Sequence, residues 1–229
     1  MSSIAVVVPA AGIGKRMQSE IPKQYLKLHG QTVLEHTLNQ LISHSNIAHI
    51  YVVLHPDDML FSTLDIADAD WITTVPGGDE RSDSVMAGIL ATNHADWILV
   101  HDAARPCVKL DDITNLLKLS KDNTGGILAA PVRDTMKRGD SQHVIKQTVC
   151  RENLWHAQTP QFFPKQQLLT ALHSCQQAGI AVTDEASAIE QMGGTVKLVE
   201  GCYSNIKITH PEDLALAEFY INQQNRTYL

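Results

Sequence analysis

The sequence predicts an α/β fold, in which a mainly parallel, twisted sheet is flanked by helices and carries one protruding β-hairpin arm. Short apolar runs alternate with amphipathic segments along most of the 229 residues, and glycine-rich or polar loops follow many of the runs. One stretch, 133–150, breaks this alternation. Strands separated by helices need crossover connections, which favour parallel pairing. The length suits one domain, 1–229, with 133–150 as an insertion.

Seven short runs are predicted to be strands. The first, IAVVV, is apolar throughout, which is typical of a strand buried on both faces of a parallel sheet. A second such run, IYVVL, ends at a His-Pro pair. In chain order the predicted strands cover residues 4–8, 50–54, 71–76, 97–100, 126–132, 195–201 and 205–209.

The segments between and after these runs place apolar residues at helical spacing. For the helix that follows the GGDER loop, Ser82 and Asp83 are the candidate N-terminal caps. Gly179 and Gly193 are placed to end two later helices, and Pro211 is placed to begin the last one. The predicted helices lie within residues 32–43, 77–92, 110–121, 165–179, 183–194 and 210–224.

The stretch 133–150 is predicted to form the hairpin arm. Arg138, Gly139 and Asp140 give a turn signal between two polar, alternating segments. A two-stranded hairpin with so little apolar surface is marginal in water. We therefore expect the arm to pack against a second copy of the chain, which would make the protein a homodimer. A flexible surface insertion is the alternative.

Composition excludes several classes of protein. A net charge of −7 is poorly suited to gripping nucleic acid over a wide surface, which needs clustered Lys and Arg. No apolar run approaches the roughly 20 residues that span a bilayer, and the first residues lack the basic segment of a signal peptide. We therefore expect no membrane partner and a cytoplasmic location. The four cysteines show no Cys-x-x-Cys spacing, so neither a zinc site nor a redox pair is indicated.

The residues that could carry chemistry concentrate in loops after predicted strands. Ligands of open α/β sheets bind beyond the carboxyl ends of the strands, so these loops are expected to build the binding site. The loops are PAAGIGKR with the later PKQYL, then PGGDERSDS, HDAARP, APVRDTMKR and NIKIT.

The opening loop matches neither common phosphate-binding template. No G-x-x-x-x-G-K-[ST] pattern can be drawn through it, and a dinucleotide fingerprint begun at Gly12 and Gly14 puts Met17 where the third glycine belongs. Its backbone N–H groups could still cradle a phosphate, which Arg16 and Lys23 could neutralise. The alternative is a tight turn with solvated basic residues.

Asp102 directly follows an entirely apolar strand, so its carboxylate is predicted to be partly buried and to need a partner. Arg105 could supply that partner as an ion pair. Alternatively, Asp102 could hold a Mg²⁺ that bridges ligand phosphates, since Mg²⁺ usually takes one or two carboxylates plus phosphate oxygens. We interpret the neighbouring His101 as a structural hydrogen-bonding residue rather than a base.

The sequence contains no convincing catalytic triad, and the G-x-S-x-G and H-E-x-x-H patterns are absent. Glycine-rich loops, one carboxylate and a set of cations suit transfer at phosphorus, where an enzyme chiefly positions groups and stabilises charge. A phosphate nucleophile is already ionised near neutral pH and would need no general base. The cations are Arg16, Lys23, Arg105, Arg133, Arg151 and Lys207.

Seven motifs in order resemble the 2-C-methyl-D-erythritol 4-phosphate cytidylyltransferases of the non-mevalonate isoprenoid pathway. The resemblance implies a Rossmann-like nucleotidyltransferase fold and a β-arm that reaches across a homodimer. It also implies a Mg²⁺-dependent reaction of CTP with methylerythritol phosphate that releases pyrophosphate. The motifs are PAAGIGKRM with PKQYL, GGDERSDSV, HDAARP, VRDTMKR, LWHAQTPQ, TDEASAIE and NIKITHPEDLALAE.

The same resemblance implies roles for individual residues. Arg16 and Lys23 are expected to be catalytic, because they would stabilise charge on the α-phosphate, and Asp102 is expected to bind Mg²⁺. The nucleotide would contact Ala10, Ala11, Gly12, Gly14, Gly78, Asp79, Ser84 and Lys207. The methylerythritol phosphate would contact Thr135, Arg151 and Thr159, with Arg105 and Thr183 as further candidates and Thr135 and Arg151 possible donations from a neighbouring arm.

One position departs from the family pattern, and two other functions stay open. Cys150 stands before Arg151, where family members often carry Asp, so a salt bridge that would orient Arg151 is in doubt. A cytidylyltransferase acting on ribitol 5-phosphate would need much the same CTP loops. A non-catalytic nucleotide-binding regulator could share the fold, although it would not need the full cation set and Asp102.

Overall fold

The computed structural model describes residues 3–12 and 21–227. Its strands, in chain order, are β1 (Ile4–Pro9), β2 (Lys27–Leu28), β3 (Gln31–Thr32), β4 (Ile50–Leu54), β5 (Ile72–Pro76), β6 (Trp97–Val100), β7 (Gly126–Pro131), β8 (Met136–Gly139), β9 (Ile145–Val149), β10 (Trp155–Pro164) and β11 (Lys197–Glu200). Its α-helices are α1 (Val33–Ile42), α2 (Arg81–Ala91), α3 (Leu110–Leu117), α4 (Lys165–Gln177), α5 (Glu185–Gln191) and α6 (Glu212–Thr227).

Seven strands form one mixed, mostly parallel sheet in the order β11-β7-β10-β6-β1-β4-β5. Strand β1 runs parallel to both β4 and β6, and β4 and β7 run parallel to β5 and β11 respectively. In chain order, β4 and β5 therefore extend the sheet on one side of β1, and the next strand, β6, lies on the other side of β1. This reversal of strand order beside β1 is where open α/β sheets form a crevice for ligands.

Strand β10 was not predicted from the sequence, and it is the antiparallel member of the sheet, paired with both β6 and β7. Pro160 lies in its middle, and a proline there argues against a central strand because it cannot donate a ladder hydrogen bond. The pairing of β10 with β7 accommodates this residue by a register shift between Ala157 and Gln161.

The helices cover both faces of the sheet, as the alternating pattern predicts. Helices α1 and α3 pack on one face against residues such as Val6 and Leu99. Helices α2, α4 and α5 pack on the other face against residues such as Val7 and Ile98. Helix α6 joins a third apolar cluster near the segment that follows β6. Among the helices that the structure describes, none has both the length and the apolar character needed to cross a membrane.

Helix α2 begins one residue before the predicted caps. Its first residue is Arg81, and the backbone N–H of Glu80 donates to Asp83 Oδ2 at 3.2 Å. Ser82 and Asp83, predicted as candidate caps, therefore lie in its first turn. The end signals were correct: Gly179 and Gly193 follow α4 and α5 with positive φ, a conformation that glycine adopts without a Cβ penalty.

The predicted strand at 205–209 is wrong, because these residues form an irregular segment without sheet pairing. The segment crosses the chain that follows β6, where the Ile208 N–H donates to the Ala104 carbonyl at 2.9 Å. The alternating apolar residues of NIKIT are explained by this crossing, since Ile208 is fully buried.

The predicted hairpin arm is confirmed as an antiparallel pair, β8 and β9, with a register irregularity between Arg138 and Gly139. Its turn is closed by Asp140 Oδ1, which accepts from the N–H groups of Gln142 and Val144 at 2.9 and 3.0 Å. The arm exposes apolar side chains at Met136, Val144 and Ile145.

Candidate active site

A cleft of about 630 Å³ opens at the carboxyl ends of β1, β4, β5 and β6. This volume lies within the range of small-molecule sites. Its walls come from the loop after β1, from two glycines after β5, from the chain after β6 and from the irregular segment. The lining residues named by the sequence analysis are Ala10, Ala11, Gly12, Lys23, Gly78, Asp79, Ser84, Asp102 and Lys207.

The loop after β1 is described as far as Gly12, and Gly14 and Arg16 lie outside the described residues. Buried Gln24 holds this loop, because its Nε2 donates to the carbonyls of Ala10 at 2.7 Å and Gly12 at 3.1 Å. The sequence analysis did not assign a role to Gln24. Its amide fixes the carbonyls on one side of the loop, so the backbone of residues 10–12 has a defined position at the cleft.

The glycine pair after β5 allows the second loop to approach the first. A Cβ added to Gly77 would lie 2.8 Å from Ser84 Oγ and 3.0 Å from Ala11 Cβ, closer than side chains pack. The Gly78 N–H donates to Ser84 Oγ at 3.2 Å. Ser84 therefore braces the loop from the first turns of α2, and Gly77 sets the spacing between the two loops.

Asp102 lies at the centre of a charge cluster. Its Oδ2 is 2.8 Å from Lys207 Nζ and 3.5 Å from Arg105 Nε, and its Oδ1 is 3.2 Å from Arg81 Nη2. Burial alone would raise the pKa of Asp102, but attraction to Arg81, Lys207 and Arg105 outweighs burial and holds that pKa far below its usual range. The predicted burial of Asp102 and its pairing with Arg105 are both present.

Arg81 lines the cleft and was not named as a site residue in the sequence analysis. Its guanidinium also donates from Nη1 to Oε1 of Glu185 at 2.7 Å. Burial would lower the pKa of Arg81, but the carboxylates of Glu185 and Asp102 outweigh it and raise that pKa. GGDERSDS was recognised as a site loop, but Arg81 was not among the cations expected there.

Asp102 offers a single carboxylate, so a magnesium ion at this cleft would have to take most of its ligands from phosphate and water. The described residues contain no group of three His, Cys, Asp or Glu side chains able to hold a metal by themselves. A single carboxylate at a phosphate-sized cleft is the usual Mg²⁺ arrangement. The carboxyl oxygen that could take this role, Oδ2, faces Lys207.

The predicted cations divide into two groups. Lys23 and Lys207 line the cleft, and Lys23 Nζ donates to the Ile208 carbonyl at 2.7 Å. Arg105 lies behind Asp102 and donates from Nη1 to the Asn205 carbonyl at 2.7 Å. Arg133 stacks over the Tyr203 ring, and Arg151 donates to the Arg133 carbonyl at the base of the arm.

Three residues expected to bind the second substrate also lie outside the cleft lining. Thr159 is buried, and its Oγ1 accepts from the Asp102 N–H at 3.0 Å. Thr183 is exposed and contacts Ser187 at the start of α5. Thr135 is exposed at the start of the arm. Within one chain, therefore, the structure brings together the described members of the nucleotide set but not the second set.

His101 is fully buried and makes structural hydrogen bonds. Its Nε2 lies 3.0 Å from the Arg105 carbonyl, and its Nδ1 lies 3.0 Å from Thr159 Oγ1. Burial lowers the pKa of His101 from 6.5 to about 4, so the ring is neutral near pH 7. Complete burial and these two hydrogen bonds support the interpretation of His101 as a structural hydrogen-bonding residue rather than a base.

We expect His101 to make stability depend on pH between about 6.5 and 4. In that window the unfolded chain binds a proton that the folded chain resists, so the free energy of unfolding falls as pH falls. The loss from this one group between pH 7 and pH 4.5 is about 2 to 3 kcal/mol. Urea unfolding at pH 7 and at pH 4.5 gives the free energy of unfolding of the wild type and of His101→Asn. The contribution of His101 is the difference between the two proteins in how much that free energy falls from pH 7 to pH 4.5. His173→Asn, at an exposed histidine, should retain the wild-type dependence, and an equal slope in His101→Asn would contradict the expectation.

Comparison with known proteins identifies the family to which the chain belongs. The family model described as 2-C-methyl-D-erythritol 4-phosphate cytidylyltransferase matches residues 4–223. The relative of that name from Pseudoalteromonas atlantica is 56% identical, with 96% of this chain and 95% of the relative covered. The one from Vibrio vulnificus is 52% identical, covering 98% and 97%. The crystal structure of the Francisella tularensis enzyme is 36% identical with a TM-score of 0.82, covering 96% and 100%. The chain therefore belongs to the 2-C-methyl-D-erythritol 4-phosphate cytidylyltransferase family of nucleotidyltransferases.

Proposed function

We propose that this chain transfers the cytidylyl group of CTP to 2-C-methyl-D-erythritol 4-phosphate in isoprenoid biosynthesis. A phosphate oxygen of the acceptor forms a bond to the α-phosphorus of CTP, and the bond from that phosphorus to the bridging oxygen of pyrophosphate breaks. The products are 4-diphosphocytidyl-2-C-methyl-D-erythritol and pyrophosphate. The observation that carries the proposal is the glycine-walled cleft centred on Asp102 in a chain of this family.

The cleft supports a division of labour between its walls. The backbone N–H groups of Ala11 and Gly12, in the loop held by Gln24, are proposed to donate to phosphate oxygens, whereas the N–H of Ala10 donates to the Val53 carbonyl. Gly78, Asp79 and Ser84, across the cleft, are proposed to select cytosine. Lys23, together with Arg16, is proposed to stabilise the charge that builds on the α-phosphate, which is the main task of an enzyme in transfer at phosphorus. No residue is needed as general base, because the acceptor phosphate is ionised.

We also propose that Asp102 holds a magnesium ion. A bound ion would supply positive charge to the phosphate oxygens of CTP and would take its other ligands from phosphate and water. The chain's own contribution is to keep the Asp102 carboxylate ionised and oriented, which Arg81 and Lys207 do. Lys207 is in addition proposed to contact the α-phosphate region.

The second substrate is proposed to lie between the cleft and the arm of a neighbouring subunit. Thr135 and Arg151 are not among the residues that line the cleft of their own chain, and they flank an arm whose Val144 and Ile145 side chains are exposed. Both facts support a homodimer in which each arm completes the partner's site. Arg105, Thr159 and Thr183 remain proposed contacts of this substrate. The charged, water-soluble substrates support a cytoplasmic location.

Pyrophosphate release tests the reaction. Purified protein with Mg²⁺ receives each nucleoside triphosphate in turn, with either methylerythritol phosphate or ribitol 5-phosphate. We expect release with CTP and methylerythritol phosphate. Release with ribitol 5-phosphate alone would instead support an enzyme for that acceptor. Binding of CTP with no release for any acceptor would support a regulator.

Lys23→Ala is expected to lower kcat by about 100-fold with a smaller change in KM for CTP, because Lys23 is proposed to act on charge that appears in the transition state. Steady-state kinetics with varied CTP measures both constants. Lys27→Ala, at an exposed lysine four residues along, is the matched control and should behave as wild type. A raised KM with unchanged kcat would show that Lys23 binds the ground state and the transition state equally.

Mixing two inactive variants tests the shared site. If Lys23 of one subunit and Arg151 of its partner serve the same site, then Lys23→Ala and Arg151→Ala subunits mixed in equal amounts should exchange and recover about a quarter of wild-type activity. Pyrophosphate release measures the recovery, and each variant mixed with itself is the control. Sedimentation of the wild type at assay concentration should show a dimer. A monomer that is fully active would contradict the proposal.

A further inference from the structure

Glu185 is a buried carboxylate outside the cleft that the reaction leaves without a role. It is 1% exposed, does not line the cleft, and is joined to the cleft residue Arg81 by two hydrogen bonds, at 2.7 and 3.3 Å. We propose that Glu185 is a positioning residue of the transfer reaction, which acts through Arg81 to hold the Asp102 carboxylate in its working orientation. This inference rests on the proposed function.

The position of Glu185 is fixed from the sheet. It is the first residue of α5, and the preceding residue, Asp184, caps that helix by accepting from the Ser187 N–H at 2.9 Å. Gln161 of β10 donates to Asp184 Oδ2 and accepts from the Ala186 N–H, both at 2.9 Å. Gln161 is also the register partner of Val100, the last residue of β6. The start of α5 is thus tied to the strand that leads into Asp102.

Arg81 divides its donors between the two carboxylates. Nη1 and Nη2 face Glu185, whereas Nε and Nη2 face Oδ1 of Asp102 at 3.3 and 3.2 Å. A planar guanidinium gripped on both edges has little freedom to rotate. Arg81 therefore occupies one oxygen of Asp102 and leaves Oδ2 to Lys207, Arg105 and the cleft. Without Glu185, the guanidinium would be held along one edge only and Asp102 would lose this restraint.

The net charge of the cluster around Asp102 distinguishes a positioning role of Glu185 from a role in binding CTP. Arg81, Arg105 and Lys207 carry three positive charges against two negative charges on Asp102 and Glu185, which leaves one net positive charge. Removing the charge of Glu185 makes the cluster more positive, so the affinity for the anionic CTP should not fall. A loss of kcat with retained CTP affinity is therefore the signature of a positioning role.

The first test compares three single variants. Glu185→Gln keeps the shape of the side chain and removes its charge, Glu185→Asp keeps the charge, and Glu190→Gln removes the same charge from the exposed end of the same helix. We expect Glu185→Gln to lower kcat about tenfold or more, since small misplacements at a reacting centre have effects of that size. Its Kd for CTP without metal, by calorimetry, should stay within about twofold of wild type or tighten. Glu185→Asp should recover part of kcat, and Glu190→Gln should match wild type.

A double variant shows whether Glu185 acts through Arg81. Arg81→Gln alone leaves Glu185 buried without a charge partner, whereas Arg81→Gln with Glu185→Gln leaves two neutral amides. We expect the double variant to have a higher Tm than Arg81→Gln and the same kcat. If Glu185→Gln does not fold, this pair still decides the question, because the double variant lacks the unpaired charge.

The inference would be overturned by wild-type kcat in Glu185→Gln, by equal loss of kcat and CTP affinity, or by a further loss of kcat when Glu185→Gln is added to Arg81→Gln. Failure of the proposed function is seen separately, because wild type itself would then release no pyrophosphate from CTP and methylerythritol phosphate.

Discussion

The site depends on the ion pairs made by the buried carboxylate of Asp102. A charge at the end of an apolar strand is costly unless it is paired, and breaking a buried pair costs about 3–5 kcal/mol. The chain meets this demand with cations from three separate regions, Arg81 at α2, Arg105 after β6 and Lys207 in the irregular segment. The same pairing that makes Asp102 tolerable in the fold also brings positive groups to the place where phosphates are proposed to bind. Stability and chemistry therefore share one set of contacts.

The fold was predictable to the extent that hydrophobic pattern determines it. Apolar runs gave the parallel strands, glycine placement gave two helix ends, and the turn signal gave the arm. Strand β10 could not be predicted, because Pro160 and its polar neighbours interrupt the apolar pattern that indicates a buried strand. Segment 205–209 failed for the opposite reason, since its alternating residues resemble a strand although Ile208 is buried by packing across the chain after β6.

The candidate site was likewise predictable only in part from the sequence. Loops after β1, β5 and β6 line the cleft as expected, because parallel strands deliver such loops to one edge, whereas the APVRDTMKR loop after β7 contributes nothing to the lining. Contacts between side chains that are far apart in the sequence could not be predicted. Arg81 and Glu185 are separated by 104 residues, and Gln24 reaches carbonyls of a loop before it. Sequence offers residue types and local order, whereas these contacts follow from the way α2, α5 and β10 pack on the sheet.

The contacts that the irregular segment 205–209 makes at the cleft can form only late in synthesis. Through Lys207, the Ile208 carbonyl and the Asn205 carbonyl, it supplies partners to Asp102, Lys23 and Arg105, all of which are translated much earlier. A chain emerging from the ribosome can pair the strands of its sheet before this segment exists. Until the segment arrives, the charged groups around Asp102 lack the contacts that hold them in place. A nascent chain can therefore have most of its sheet paired while the proposed nucleotide site is still incomplete.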